Sequence, residues 1–287
     1  RGPQGYRVEP IAAGDSGIYR YARDFTHAFL GIPNLGLNDE PVEFVVGDVL
    51  LCLDLHVGVV TANRNTYRDL RIDGVTILFV VYDLLPLILP WAFPSGTKEA
   101  FREWVEVVAE NDGVICISRA VASDFSSWVE EHGVVLKKGF TIDNFPLGAD
   151  GPKDSNSSAR LALRESLPRG KDAIPTFLIV GTGEPRKGHE QVLSAFDELW
   201  ENGHQLNLLI VGKEGWLVVG LANRIRTHRE IGHHLVWLAE ASDEVVAASY
   251  EASSCLLATS FGEGFGLPLI ESALKNLPII ARDIPVF

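Results

Sequence analysis

The sequence predicts an α/β protein of two Rossmann-like, doubly wound domains. Short apolar or β-branched runs alternate with longer stretches of helical periodicity, the pattern of βαβ units around a parallel sheet. Glycine-rich segments fall where strand-like runs give way to helices. The length, 287 residues, suits about two domains at roughly 100 to 200 residues each.

In the first half, strands are expected at residues 49–53, 75–82 and 114–117, with helices at 98–111 and 119–132. Residues 150–175 are dense in Ser, Asn, Lys, Asp, Gly and Pro, with one short possible helix around 159–166, and are assigned to an interdomain linker. The second half is more regular. Residues 176–180 form a buried strand, and 190–201 an amphipathic helix with Val192, Leu193, Phe196, Leu199 and Trp200 on one face. There follow a strand at 206–211, a helix through Asn223 and Arg229, a strand at 235–238, a helix at 243–252 and a strand at 255–258. Pro268 opens a further helix, where proline fits the first turn, and residues 278–281 give a fifth strand. The domains are therefore set at 1–149 and 176–287, facing each other across a cleft at their strand C-termini, the ligand edge of open α/β sheets.

Composition removes several classes of function. The balance of 25 Lys+Arg against 38 Asp+Glu gives −13, which argues against a nucleic-acid binder. Hydrophobic content of 46% and charged content of 22% are those of a globular protein. Cys52, Cys116 and Cys255 stand far apart in apolar runs and read as buried thiols, not a disulfide framework or zinc site. The most apolar stretch, 75–93, is interrupted by Asp83, Pro86 and Pro90, so no spanning helix is expected. The chain contains no Met and ends directly after a strand-like run, so both termini are expected to be cut inside the fold.

Chemistry concentrates in two segments. In Phe261-Gly262-Glu263-Gly264-Phe265-Gly266-Leu267-Pro268-Leu269-Ile270-Glu271, a glycine-rich turn leads from a buried strand into a helix N-terminus, whose free N–H groups favour anions. Gly264 and Gly266 let the main chain approach a ligand. Glu263 stands in the loop and Glu271 about one turn inside the helix; taken singly, either glutamate is more readily structural. In Gly181-Thr182-Gly183-Glu184-Pro185-Arg186-Lys187-Gly188, adjacent cations at a strand end suit a diphosphate, with Arg186 able to bind two oxygens and Lys187 acting as a point charge. No Asp-x-Asp occurs, so no metal clamp is expected, and His233-His234 lacks a third ligand and is placed in a surface turn.

Together these segments resemble the retaining family-4 glycosyltransferases of the GT-B fold, with Glu263 and Glu271 as the E-x(7)-E pair. The resemblance extends to Gly47-Asp48, Tyr82-Asp83-Leu84-Leu85-Pro86, Ile117-Ser118-Arg119-Ala120 and Leu147-Gly148-Ala149-Asp150, and points to mannosyl- and rhamnosyltransferase-like members that build bacterial surface polysaccharides. It implies that Arg186 and Lys187 bind the donor diphosphate and stabilise charge growing on it, and that Glu263 lies at the donor sugar. Gly264, Phe265, Gly266, Leu267, Gly181 and Thr182 would form the donor-binding backbone, and Glu271 would accept from ribose hydroxyls. Asp83 and His56 are acceptor-side candidates; Tyr82 stands where relatives often carry a histidine.

The resemblance further implies a nucleotide-diphosphate hexose as donor, GDP-mannose as the expected one, with no cofactor and no metal. The acceptor would be a glycan or lipid-linked glycan, and the site of action the cytoplasm, at the inner membrane face. The apolar segment 84–94, whose recurring prolines argue against regular helix, either touches a membrane or packs against its own domain; packing is preferred. Family members begin with a strand and a glycine loop. Gly14-Asp15-Ser16-Gly17 lacks a convincing preceding strand and is not assigned to it. The alternatives are a nucleotide-sugar isomerase on the same plan and a non-catalytic nucleotide- or glycan-binding module.

Overall fold

The computed structural model describes residues 5–13, 17–33, 36, 38–148, 158, 163 and 174–287. The chain forms two compact units: residues 1–82, 99–116 and 122–144, and residues 83–98, 117–121 and 145–287.

In the first unit, strands β1 (Ile11–Ala13) and β2 (Tyr19–Tyr21) form an antiparallel pair, followed by α1 (Arg23–Leu30). A strand thus does precede residues 14–16, which themselves lie outside the described residues, but it belongs to this small ribbon. The main sheet is parallel, with β3 (Val49–Cys52), β4 (Thr76–Val81), β5 (Gly113–Cys116) and β6 (Thr141–Asn144) in sequential order. Leu50 faces Ile77 and Phe79 faces Val114 in register. Helices α2 (Val57–Ala62), α3 (Arg64–Ile72), α5 (Thr97–Ala109) and α6 (Arg119–Glu131) connect the strands. Ile77, Phe79, Trp104, Val108 and Phe125 are fully buried, as the continuous apolar runs of a parallel sheet require. Cys116 and Cys255 are buried and Cys52, on the edge strand, is only half-buried; all three are free thiols.

The second unit opens with α4 (Leu85–Ile88) and a 3-10 turn, Pro90–Ala92. Regular helix does occur in this proline-rich segment, because Pro86 and Pro90 each fall in a first turn, where no N–H is needed. Leu84, Leu85 and Leu87 are buried. The sheet strands are β7 (Thr176–Val180), β8 (Asn207–Val211), β9 (Leu235–Leu238), β10 (Cys255–Ala258) and β11 (Ile279–Ala281), all parallel in the order β11-β10-β7-β8-β9. Side-chain alternation builds a core on each face. Ile179, Leu208 and Ile210 meet Leu193 and Phe196 of α7 (His189–Glu201) and Ile225 of α8 (Val219–Arg226). Leu178 and Leu209 meet Ala248 and Tyr250 of α9 (Asp243–Ala252). The last helix is α10 (Leu267–Leu274).

α8 stops before Arg229: the Thr227 hydroxyl donates to the Asn223 carbonyl at 2.9 Å, and the Glu230 N–H is taken by His228 Nδ1 at 3.1 Å. The expected linker lies outside the described residues except for Ser158, Leu163, Ile174 and Pro175; Leu163 is buried against the second core. Among the described residues no helix is long and apolar enough to cross a membrane.

Candidate functional site

In the second unit, the chain runs from β7 outward to β8 and β9, then returns to β10 on the other side of β7. Loops leaving β7 and β10 therefore diverge, and such a switch in strand order opens a crevice at the strand C-termini. The two chemically marked segments are these two loops.

They are knitted together by main-chain contacts. Phe261 N–H donates to the Arg186 carbonyl at 2.7 Å, and the Thr259 hydroxyl to the Lys187 carbonyl at 2.9 Å. Gly188, with φ of +75°, ends the 3-10 turn Pro185–Lys187, and a Cβ there would stand 2.6 Å from the Thr259 carbonyl oxygen. Only glycine combines that backbone with that approach.

Glu263 is the centre of the arrangement. Its Oε1 accepts from Lys187 Nζ at 2.5 Å and from the Ser260 hydroxyl at 2.6 Å, and its Oε2 from Arg186 Nη1 at 3.1 Å. The Arg186 guanidinium also donates to the Gly262 carbonyl at 3.2 Å. Its Nε lies 2.8 Å from Glu184 Oε2, a charge pair without hydrogen-bond alignment. The side chains of Arg186, Lys187 and Glu263 are only 15%, 13% and 12% exposed, so these charges act across protein instead of bulk water. Burial alone would raise the Glu263 carboxyl, but Lys187 and Arg186 outweigh it and hold the group below its ordinary value. Burial instead pushes up Glu184, and also Asp83, which feels Arg186, Lys187 and Glu263 and accepts the Leu85 N–H at 3.0 Å. Two cations and three carboxyl groups thus share one largely buried cluster, with Glu263 held below and Glu184 and Asp83 held above their ordinary values.

Around this cluster, Gly266 has φ of +89° and caps α10, with Pro268 in the first turn. Lys187, Ser260, Glu263, Gly266, Leu269 and Phe287 line part of a small open pocket. The Gly264 carbonyl accepts from the Ser118 hydroxyl at 2.8 Å. Gly264 is buried, Phe265 half-buried and Leu267 exposed. At the head of the other loop, Lys187 lies over Gly181, where a Cβ would meet its Cε at 3.6 Å. Next to Thr182, Gly183 N–H donates to the Lys213 carbonyl at 2.7 Å, tying the loop to the end of β8.

Arg186, Lys187, Glu263 and Asp83 are therefore brought together. The Glu271 Oε2 accepts from the Tyr250 hydroxyl at 2.6 Å. His56 belongs to the first unit and caps α2, accepting the Val59 N–H at Nδ1. His234 bonds Asn207 through Nδ1 at 2.9 Å. Among the described residues no cluster of three or more His, Cys, Asp and Glu is arranged to hold a metal. Sequence reasoning missed Ser260, Glu184 and Tyr250 as partners. Glu184 stands inside the marked loop and was legible as a charge there, whereas Tyr250 comes from a helix that only folding brings to Glu271.

Fold and site define a parallel α/β protein with a buried charge cluster at a strand-order switch. Residues 164–287 match the family model described as "Glycosyl transferases group 1". The whole chain is 41% identical over 289 aligned residues to the serotype-specific mannosyltransferase WbdA of Escherichia coli, covering 35% of that protein. Over 111 residues, or 39% of this chain and 30% of that protein, it is 31% identical to the O-antigen chain mannosyltransferase RfbU of Salmonella typhimurium. The chain spans about a third of the length of these curated relatives. Among solved structures, sucrose-phosphate synthase from Thermosynechococcus elongatus superposes with a TM-score of 0.58 at 19% identity, over 91% of this chain and 58% of that one. The pneumococcal O-GlcNAc transferase GtfA gives 0.56 at 16%, over 96% and 49%. The fold is that of the GT-B glycosyltransferases.

Proposed function

We propose that this chain transfers a hexose, mannose or a deoxyhexose, from a nucleotide-diphosphate sugar to a glycan or lipid-linked glycan, with retention of anomeric configuration. The observation that carries the reading is the convergence of Arg186 and Lys187 on Glu263 at the switch between β7 and β10. The names of the mannosyltransferase relatives support mannose as the sugar, and GDP-mannose is the donor assigned in this proposal.

The diphosphate lies against Arg186 and Lys187. When the bond from the sugar's anomeric carbon to the diphosphate oxygen breaks, negative charge grows on that oxygen, and fixed cations in a partly dry site stabilise it without reorganising; such donors are worth about 2.7 to 4 kcal/mol each. The phosphate displaces part of the Glu263 contact with both cations, which frees that carboxylate to accept from donor-sugar hydroxyls. Main-chain N–H groups from Gly264 to Leu267, at the start of α10, add anion contacts, and Gly181 and Thr182 close the other side. Glu271, oriented by Tyr250, accepts from the ribose. Asp83, its carboxyl raised by burial, is suited to exchanging a proton with an acceptor hydroxyl. With two cations at the diphosphate, no metal or cofactor is required. The free thiols suit a reducing cytoplasm, with the acceptor presented at the inner membrane face.

Incubation of the chain with GDP-mannose and a manno-oligosaccharide, read by NMR of the product's anomeric proton, tests this reading. A lengthened α-linked product is expected. Sugar release or rearrangement without acceptor would favour an isomerase or hydrolase, and nucleotide binding without any product a binding module.

A further inference from the structure

An aromatic ring left in water forfeits the stabilisation of burial, and grouped exposed rings mark binding surfaces. Trp91 is 56% exposed, yet it stands in a tightly constrained part of the second unit: Pro90 opens its 3-10 turn and the adjoining Ala92 is fully buried. Its ring meets Phe261 edge to face at 5.4 Å. The Arg282 guanidinium lies 3.9 Å from the centre of the Phe261 ring and is fixed by donating from Nε to the Thr259 carbonyl at 2.9 Å. In the same segment, Phe93 packs on Trp216 at 5.8 Å, and the Trp216 indole N–H donates to the Ala92 carbonyl at 2.8 Å. Both ring pairs are held in place and still present free surface.

This surface is continuous with the charged site. The Gly262 carbonyl, next to Phe261, accepts from Arg186, and a Cβ on Gly262 would stand 2.6 Å from Leu85 Cδ2. The segment bearing Trp91 is thus packed directly on the loop bearing Glu263.

We propose that the exposed face of Trp91, braced edge to face by Phe261, is a stacking platform for the acceptor glycan, a role that rests on the transferase reading. A pyranose ring carries an apolar C–H face and a rim of hydroxyls. The Trp91 ring takes the face, and Arg282, over the neighbouring Phe261 ring, takes the rim. A lipid surface fits less well, because a guanidinium lies over the Phe261 ring and a chain of net charge −13 is repelled by anionic headgroups.

Calorimetric titration of the chain with α-linked mannotriose to mannopentaose, and separately with phosphatidylglycerol–phosphatidylethanolamine vesicles, decides the matter. Wild type, Trp91→Ala and Trp91→Phe are compared, and GDP titrations on the same samples report the donor site. Oligosaccharide binding is expected in the wild type, weakened about tenfold or more in Trp91→Ala and largely kept in Trp91→Phe. Equal affinity in Trp91→Ala, no oligosaccharide binding by the wild type, or Trp91-dependent binding to vesicles alone would overturn the platform. Failure of the transferase reading itself would instead appear as absence of any GDP or other nucleoside-diphosphate binding by the wild type.

Discussion

Lys187 pairs with Glu263, and its alkyl chain crosses Gly181. Removing the ammonium leaves Arg186 still bonded to Glu263, so the loop stays tied while the site loses a charge. Lys187→Ala is expected to retain the fold by circular dichroism and to lower kcat/KM for transfer by about a hundredfold or more; unchanged transfer would remove Lys187 from the mechanism. His189, immediately beyond this loop, behaves differently. It is 3% exposed and, among the described residues, has no hydrogen-bond partner at either ring nitrogen, and burial, aided by the Lys187 charge, depresses its pKa from 6.5 to about 4. As pH falls from 6.5 toward 4, the unfolded chain takes up a proton that the folded chain refuses. The stability contributed by neutral His189, complete above pH 6.5, is therefore lost progressively, by up to about 3 kcal/mol. In urea unfolding at pH 7 and 4.5, His189→Leu should lessen the acid loss by about 2 kcal/mol; an identical loss in both proteins would contradict this. Arg186, Lys187 and Glu263 were legible because charges in a glycine-rich loop after a strand have one obvious surface to occupy. His189 as an unpaired buried ring was not, since a histidine following a glycine reads as an ordinary first-turn residue.

At the scale of elements, legibility followed burial. The strands at 176–180, 235–238 and 255–258 and the helix at 243–252 have the bounds expected of them, because continuous apolar runs and an amphipathic period specify them locally. α3 escaped notice because RNTYRDLRI buries only Tyr67 and otherwise reads as a polar loop. β6, TIDN, has no buried residue and pairs only with β5 at the sheet edge, so its extended form depends on its neighbour. The joint between the β7 loop and α7 is the element most sensitive to a single atom. Gly188→Ala places a methyl against the Thr259 carbonyl and imposes a positive φ on an L side chain. It should cost about 2 kcal/mol or more, read as a lowered midpoint in denaturant. An unchanged midpoint would mean that the two loops are not locked there.

For the whole molecule, alternation of strand and helix indicated two parallel-sheet units, but the order β11-β10-β7-β8-β9, which alone places the cationic loop beside Glu263, is a tertiary fact. The sequence carried it only through likeness to glycosyltransferases. The boundaries drawn at 149 and 176 are likewise a sequence expectation; by contacts, residues 83–98 and 117–121 group with the second unit. That grouping brings Asp83 to the cations and Trp91 to Phe261. The central claim is that Arg186 and Lys187 form the diphosphate site, and the dissociation constant of GDP from Arg186→Ala/Lys187→Ala against wild type, by calorimetry with UDP and ADP in parallel, tests it most directly. A weakening of about a hundredfold for the preferred nucleotide, about 2.7 kcal/mol, is predicted. Equal affinity in the folded double variant would contradict it.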